Sequence, residues 1–184
     1  MKIVKWIIII ASIIALLFYF VALPIMREQT KKHSPQRTAS YTKNGLEIVV
    51  NYSSPFKKGR IIFGELVPYN EVWRTGANEP TVFNTKTDLN IQGEKLAAGT
   101  YSVWTIPGES QWQFILNKEV PDWGVAMNTG KSSRNEKYDA LTVAVPTEKL
   151  DPSVENFTIA FENEGQLYLI FAWDTIKISV PINP

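Results

Sequence analysis

Cysteine is absent from the 184 residues, and histidine occurs once, at His33. The first absence removes disulfides, thiolate nucleophiles and zinc centres built on sulfur. The second leaves no imidazole in the C-terminal part of the chain for a serine–histidine or cysteine–histidine pair, or for a metal. Charge of one sign is missing too: 19 basic and 18 acidic side chains leave a net charge of +1. No basic stripe breaks that balance, so nucleic acid is not an expected partner. There is no G-x-S-x-G elbow, phosphate loop or dinucleotide fingerprint. Asp139 and Asp151 are isolated carboxylates with no regularly spaced neighbours, so no calcium loop is formed. Neither a metal nor a cofactor is expected.

Long apolar runs are scarce, with one exception. Trp6 to Leu23 carries no charge and holds six Ile, three Leu, two Phe and one Val. As a helix it rises about 27 Å, close to the thickness of a hydrocarbon core. Those twelve apolar side chains favour insertion by roughly 4–7 kcal/mol. A buried core helix would carry a polar stripe, and this run offers only Ser12. The run is longer than a signal-peptide core and no A-x-A site follows it, which points to an uncleaved anchor touching membrane lipid. Residues 1–25 are therefore read as a transmembrane anchor or uncleaved signal, 26–40 as a polar juxtamembrane linker, and 41–184 as a folded domain. Lys2 and Lys5 precede the span while Arg27, Lys31, Lys32 and Arg37 follow it, a count that by itself would place the domain inside the cytoplasm.

Beyond Tyr41 the hydrophobic period is two. Leu46, Ile48 and Val50 share a face, as do Trp112, Phe114 and Leu116, then Leu141, Val143 and Val145, then Phe157, Ile159 and Phe161. Tyr168, Ile170 and Ala172, followed by Ile176, Ile178 and Val180, complete the inward set. Asn44-Gly45, Pro107-Gly108, Asn163-Glu164-Gly165 and Asp174-Thr175 supply turns between runs. Eight or nine short strands with short connections predict an all-β domain, an antiparallel β-sandwich or barrel-like sandwich. The stretch from Asn117 to Tyr138 is the exception, long and broken by Pro121 and Gly130, and loops of that length are usually functional or mobile.

Candidate chemistry concentrates at Trp73-Arg74-Thr75-Gly76-Ala77-Asn78-Glu79. Arg74 presents a fork of donors suited to a carboxylate or phosphate. Gly76 permits a tight bend, and Pro80 biases Glu79 to extended backbone. The candidate ligand-binding residues are Trp73, Arg74, Thr75, Asn78, Glu79, Glu65 and Trp123, the two tryptophans being chosen because they lie at loops. The plainer alternative is an Arg74–Glu79 ion pair with Asn78 bracing the loop. Trp112 and Trp173 read as core, and Trp104 as facing either way. Lys57, Lys58 and Arg60 read as a solvated charged face.

Three blocks carry a resemblance. The first runs from Gly59 to Tyr69 and continues through Val72-Trp73-Arg74-Thr75-Gly76-Ala77-Asn78-Glu79. The second is Leu96-Ala97-Ala98-Gly99-Thr100-Tyr101-Ser102 with Ile106-Pro107-Gly108. The third joins Trp112, Phe114, Asn117 and Trp123-Gly124. Together they resemble the bacterial family catalogued as domain of unknown function 2911, from Tyr41 to about Ile182. The resemblance implies an exported or envelope protein with its domain outside the cytoplasm, against the Lys/Arg count. The chain departs from the family pattern where an arginine-bearing strand follows the Trp-Gly loop: here the stretch is Asp139-Ala140-Leu141-Thr142, and Met127 to Lys137 is also atypical.

These observations lead to a membrane-anchored extracytoplasmic binding module for a small molecule, glycan or envelope partner. The alternatives are a hydrolase using Glu79 or Glu65 with Arg74 as electrostatic clamp, and a purely structural envelope protein.

Overall fold

The computed structural model describes residues 2–126 and 129–184, in two compact units, residues up to His33 and residues from Ser34 onward. The first unit is helical. Helix α1 (Lys2–Leu17) passes through a π-helical turn at Phe18–Ala22 into α2 (Leu23–His33). From Ile3 to His33 it is long and apolar enough to cross a membrane, so it is a candidate anchor or signal sequence. The segment expected as an irregular linker contains the end of this helix and the start of the first strand. Helix propagates cheaply once nucleated, and Lys31, Lys32 and His33 in the last turn complement its dipole, which carries the helix past its apolar part.

The second unit is an antiparallel β domain of nine strands: β1 (Gln36–Lys43), β2 (Leu46–Ser53), β3 (Thr81–Thr85), β4 (Leu89–Ile91), β5 (Glu94–Leu96), β6 (Gly99–Ile106), β7 (Gln111–Asn117), β8 (Asp139–Asn163) and β9 (Leu167–Asn183). They hydrogen-bond in the order β1-β2-β3-β6-β7-β8-β9-β4-β5. The sheet does not close into a barrel. Instead it folds over along β8, whose first part pairs with β7 and whose second part pairs with β9. The fold-over brings Tyr52 of β2 against Phe157 of β8, ring centroids 5.8 Å apart, and Phe114 of β7 against Phe171 of β9 at 5.6 Å.

Alternation dictates most of the core. Ile48, Val50, Phe83, Val103 and Phe114 are fully buried between the layers. In β9 the expected face is reversed: Leu167, Leu169, Phe171 and Trp173 point inward, while Tyr168 and Ala172 are only half-buried. Ile170 is also buried, so both faces are apolar there and period two cannot choose between them. Asp174, expected to open a turn, lies inside the continuous β9 at φ 52°, where the β8–β9 register shifts. That irregularity changes the phase, so that Ile178, Val180 and Ile182 become the inward residues.

The outer face of β6 and β7 is not all solvent. Trp104 and Ile115 are fully buried there, outside the main core cluster. Trp104 Nε1 donates to Ser102 Oγ at 2.7 Å, and Ser102 Oγ donates to the Glu119 carbonyl at 2.6 Å. The loop of residues 118–138 is thereby tied to this face, and it ends in a 3-10 turn at Glu136–Tyr138.

Candidate functional site

The segment from Trp73 to Pro80 docks on the edge of β6 beyond the reach of β3. Strand β3 covers only Gly99–Val103, and Trp73 takes up Thr105 with backbone bonds of 2.8 and 3.0 Å. The backbone then bends through three left-handed positions, Thr75 (φ 56°), Gly76 (φ 142°) and Asn78 (φ 61°). A β-branched residue there is strained and needs support. Thr75 has it: its hydroxyl lies 3.1 Å from that of Thr105, and its carbonyl accepts from Thr81 Oγ1 at 2.6 Å. Gly76 has no substitute, since a Cβ would stand 2.9 Å from the Ser53 carbonyl oxygen.

These constraints disperse the candidates. Trp73, chosen as a surface aromatic, is a core residue instead. It stacks on Trp173 at 6.0 Å, meets Phe157 at 5.1 Å, and donates Nε1 to the Gly76 carbonyl at 3.1 Å. Thr75 and Asn78 are buried within the bend. Glu79 faces a separate cavity of about 390 Å³ bordered by Arg37, Thr38, Asn51 and Tyr52. Glu65 is exposed and lines neither cavity. Trp123 is half-buried, its carbonyl accepting from Ser133 Oγ at 2.5 Å. Arg74 and Glu79 line separate cavities.

Arg74 alone of that segment's polar residues reaches a larger cavity, of about 590 Å³. One wall is Leu66, Val67, Pro68 and Val72; the other includes Gly124, Val125, Lys131, Ser132, Arg134 and Glu136. Gly124 seats the arginine. A Cβ there would fall 2.2 Å from Arg74 Cδ and 2.9 Å from its Cβ, so the side-chain stem lies flat on glycine backbone. The Gly124 amide also donates to the Asn78 carbonyl at 3.2 Å, locking loop to bend.

Two arginines line this cavity, and their surroundings differ. Arg134, with a side chain only 8% exposed, is bound in a two-pronged pair to Asp139 and reaches Glu136 at 3.4 Å. Asp139 Oδ1 also accepts from Asn117 Nδ2 at 2.8 Å. Arg74 has no such partners. Its Nε is buried without a hydrogen bond, and no carboxylate pairs with it among the described residues. Burial pushes its pKa down, because lost hydration disfavours the charged form.

A family model for a protein of unknown function, DUF2911, matches residues 34–182. The chain belongs to this family. The match starts where the β unit starts and leaves out the N-terminal helix. No curated protein and no solved structure matches the chain. In this DUF2911 domain, Thr142 is exposed and opposite Ile115 of β7. Met127 and Asn128, within the atypical stretch, lie outside the described residues. Asp139, an isolated carboxylate in the sequence, pairs with Arg134.

Lys57, Lys58 and Arg60, read as a solvated face, are partly tied down. Lys57 pairs with Asp174, the Lys58 amide donates to Glu155 Oε1 at 2.8 Å, and Arg60 Nε donates to the Lys57 carbonyl at 3.0 Å. The sequence reading missed Glu71, Lys131 and Arg134 as cavity residues. The signal available for the last two was the length of the loop that bears them.

Proposed function

We propose that the DUF2911 domain is a binding module that holds a small molecule in the cavity between residues 66–74 and 124–136. The observation that carries this reading is Arg74, a half-buried guanidinium on the cavity wall with an unsatisfied Nε and no carboxylate partner among the described residues. A cation left in that state costs folding free energy, and the folded chain retains it. A cavity of about 590 Å³ also falls in the range of small-molecule sites. The hydrolase reading is less favoured, because neither Glu79 nor Glu65 lines the cavity that Arg74 reaches. We further propose that the N-terminal helix fixes the domain to a membrane, with the domain on the extracytoplasmic side.

The site is tested by a thermal-shift screen of small molecules on the full chain in detergent, wild type against Val125→Trp. Val125 lines the cavity, and an indole there would occupy much of it. Hits that stabilise the wild type and lose their effect in the variant support the reading. Hits unaffected by the filled cavity, or no hit from a diverse set, would reject it. Orientation is tested separately by protease added to intact spheroplasts, where removal of the domain is the expected outcome and full protection reverses the assignment.

A further inference from the structure

The charges on the cavity wall limit what it can hold. Arg134 is committed to Asp139, and the second carboxylate it reaches, Glu136, is 79% exposed and hydrated. Glu71 and Lys131 are exposed and make no ion pair among the described residues, and their opposite signs offset. Arg74 remains, the buried cation on this wall that has no carboxylate partner among the described residues, with its Nε unsatisfied. Apolar side chains flank it: Leu66, Val67, Pro68 and Val72 on one wall and Val125 on the other.

We infer that the cavity takes a small organic carboxylate, its two oxygens bridging the Nη atoms of Arg74 and its apolar body lying along the Leu66–Val72 wall. The inference rests on the reading of the cavity as a ligand site and adds the ligand's charge and shape. A planar two-oxygen acceptor matches the guanidinium fork, and a monoanion matches one uncompensated cation. A phosphate dianion fits less well. Phosphate sites gather several backbone amides or several basic groups, whereas this wall offers one uncommitted buried cation and places Glu71 nearby. Buried Nε contributes indirectly: without a partner of its own, it leaves the whole guanidinium charge to be met at the Nη end.

The experiment compares hexanoate, its neutral isostere hexanamide, and inorganic phosphate on the full chain in detergent micelles. Binding is followed by calorimetry and by the ¹⁵N resonance of Arg74 Nε, assigned by its loss in Arg74→Lys. Hexanoate should bind saturably and shift that resonance, with hexanamide at least tenfold weaker. Arg74→Met should reduce hexanoate binding to the level of the amide. Equal binding of hexanoate and hexanamide would overturn the carboxylate inference while leaving the cavity reading in place. Phosphate competing as strongly as hexanoate would overturn the preference for a planar monoanion. Hexanoate binding that survives Val125→Trp would remove the cavity reading and the inference together, as would the absence of any binding at millimolar concentration.

Discussion

Replacing Arg74 with methionine should stabilise the fold. In the folded chain the guanidinium has a buried Nε without a partner and no carboxylate beside it, while its aliphatic stem rests on Gly124. A buried polar group left unsatisfied costs about 1–3 kcal/mol, and a charged one more. Methionine keeps a flexible stem of similar length over Gly124 and removes the donors. The expected gain is about 1–2 kcal/mol, discounted because Arg74 is only half-buried and part of its charge remains hydrated. For a domain of this size, each kcal/mol moves the melting temperature by about 2–4 °C. The variant should thus melt about 2–8 °C higher. Arg74→Ala should gain less, because losing two packed methylenes costs about 1.5 kcal/mol and offsets the relief. The assay is thermal and urea unfolding of the full chain at low anion concentration, since a bound anion would stabilise the wild type. A methionine variant less stable than wild type by more than about 1 kcal/mol would refute the reasoning. It would mean that the guanidinium makes a native interaction the fold depends on.

Three further substitutions test neighbouring parts of the site. Gly124→Ala should destabilise by about 1–3 kcal/mol, because its Cβ would sit 2.2 Å from Arg74 Cδ. In an Arg74→Ala background the penalty should shrink, giving a coupling of about 0.5–3 kcal/mol in a double-mutant cycle; additive costs would show that the two residues do not touch. Asp139→Asn should cost about 3–5 kcal/mol by stripping Arg134 of its main partner, measured by urea unfolding, and an unchanged midpoint would show that pair to be solvated. Trp73→Ala should cost about 3–5 kcal/mol with loss of near-ultraviolet dichroism, because the ring stacks on Trp173 inside the aromatic cluster; a mild effect would return Trp73 to the surface.

The sequence conveyed the β architecture because most strands bury one face. Leu46, Ile48 and Val50, or Leu141, Val143 and Val145, alternate with more exposed neighbours and turn inward as the alternation requires. Strand β1 was not legible beyond Tyr41. Its burial is slight on both faces, so Gln36 to Ser40 has no hydrophobic period to read. The phase of β9 was hidden by apolar residues on both faces and by the irregularity at Asp174. At the site, the density of polar and aromatic residues around Arg74 reads as a candidate ligand surface, and it coincides with a backbone that bends through left-handed positions. What it could not reveal was direction. Facing within Trp73–Glu79 is set by left-handed φ at Asn78, which tolerates it, and at Thr75, a β-branched residue from which it would not be expected, so Trp73 turned inward and Glu79 turned away. The second wall comes from a loop 50 to 60 residues downstream, where spacing carries no information about contact.

Strand β8 links the two layers, and this affects how the chain emerges from the ribosome. Ile91 of β4 pairs with Ile182, and the second part of β8 pairs with β9, so one layer cannot assemble until residues near 182 are available. The other layer needs the first part of β8 for its β7 edge. If the N-terminal helix enters the membrane as soon as it is made, some 150 residues must then wait unfolded beside the bilayer. During that interval strand edges rich in isoleucine and valine are unpaired, a state open to aggregation and dependent on non-local contacts that form slowly. A holdase would therefore matter more to the yield of this protein than to its final stability.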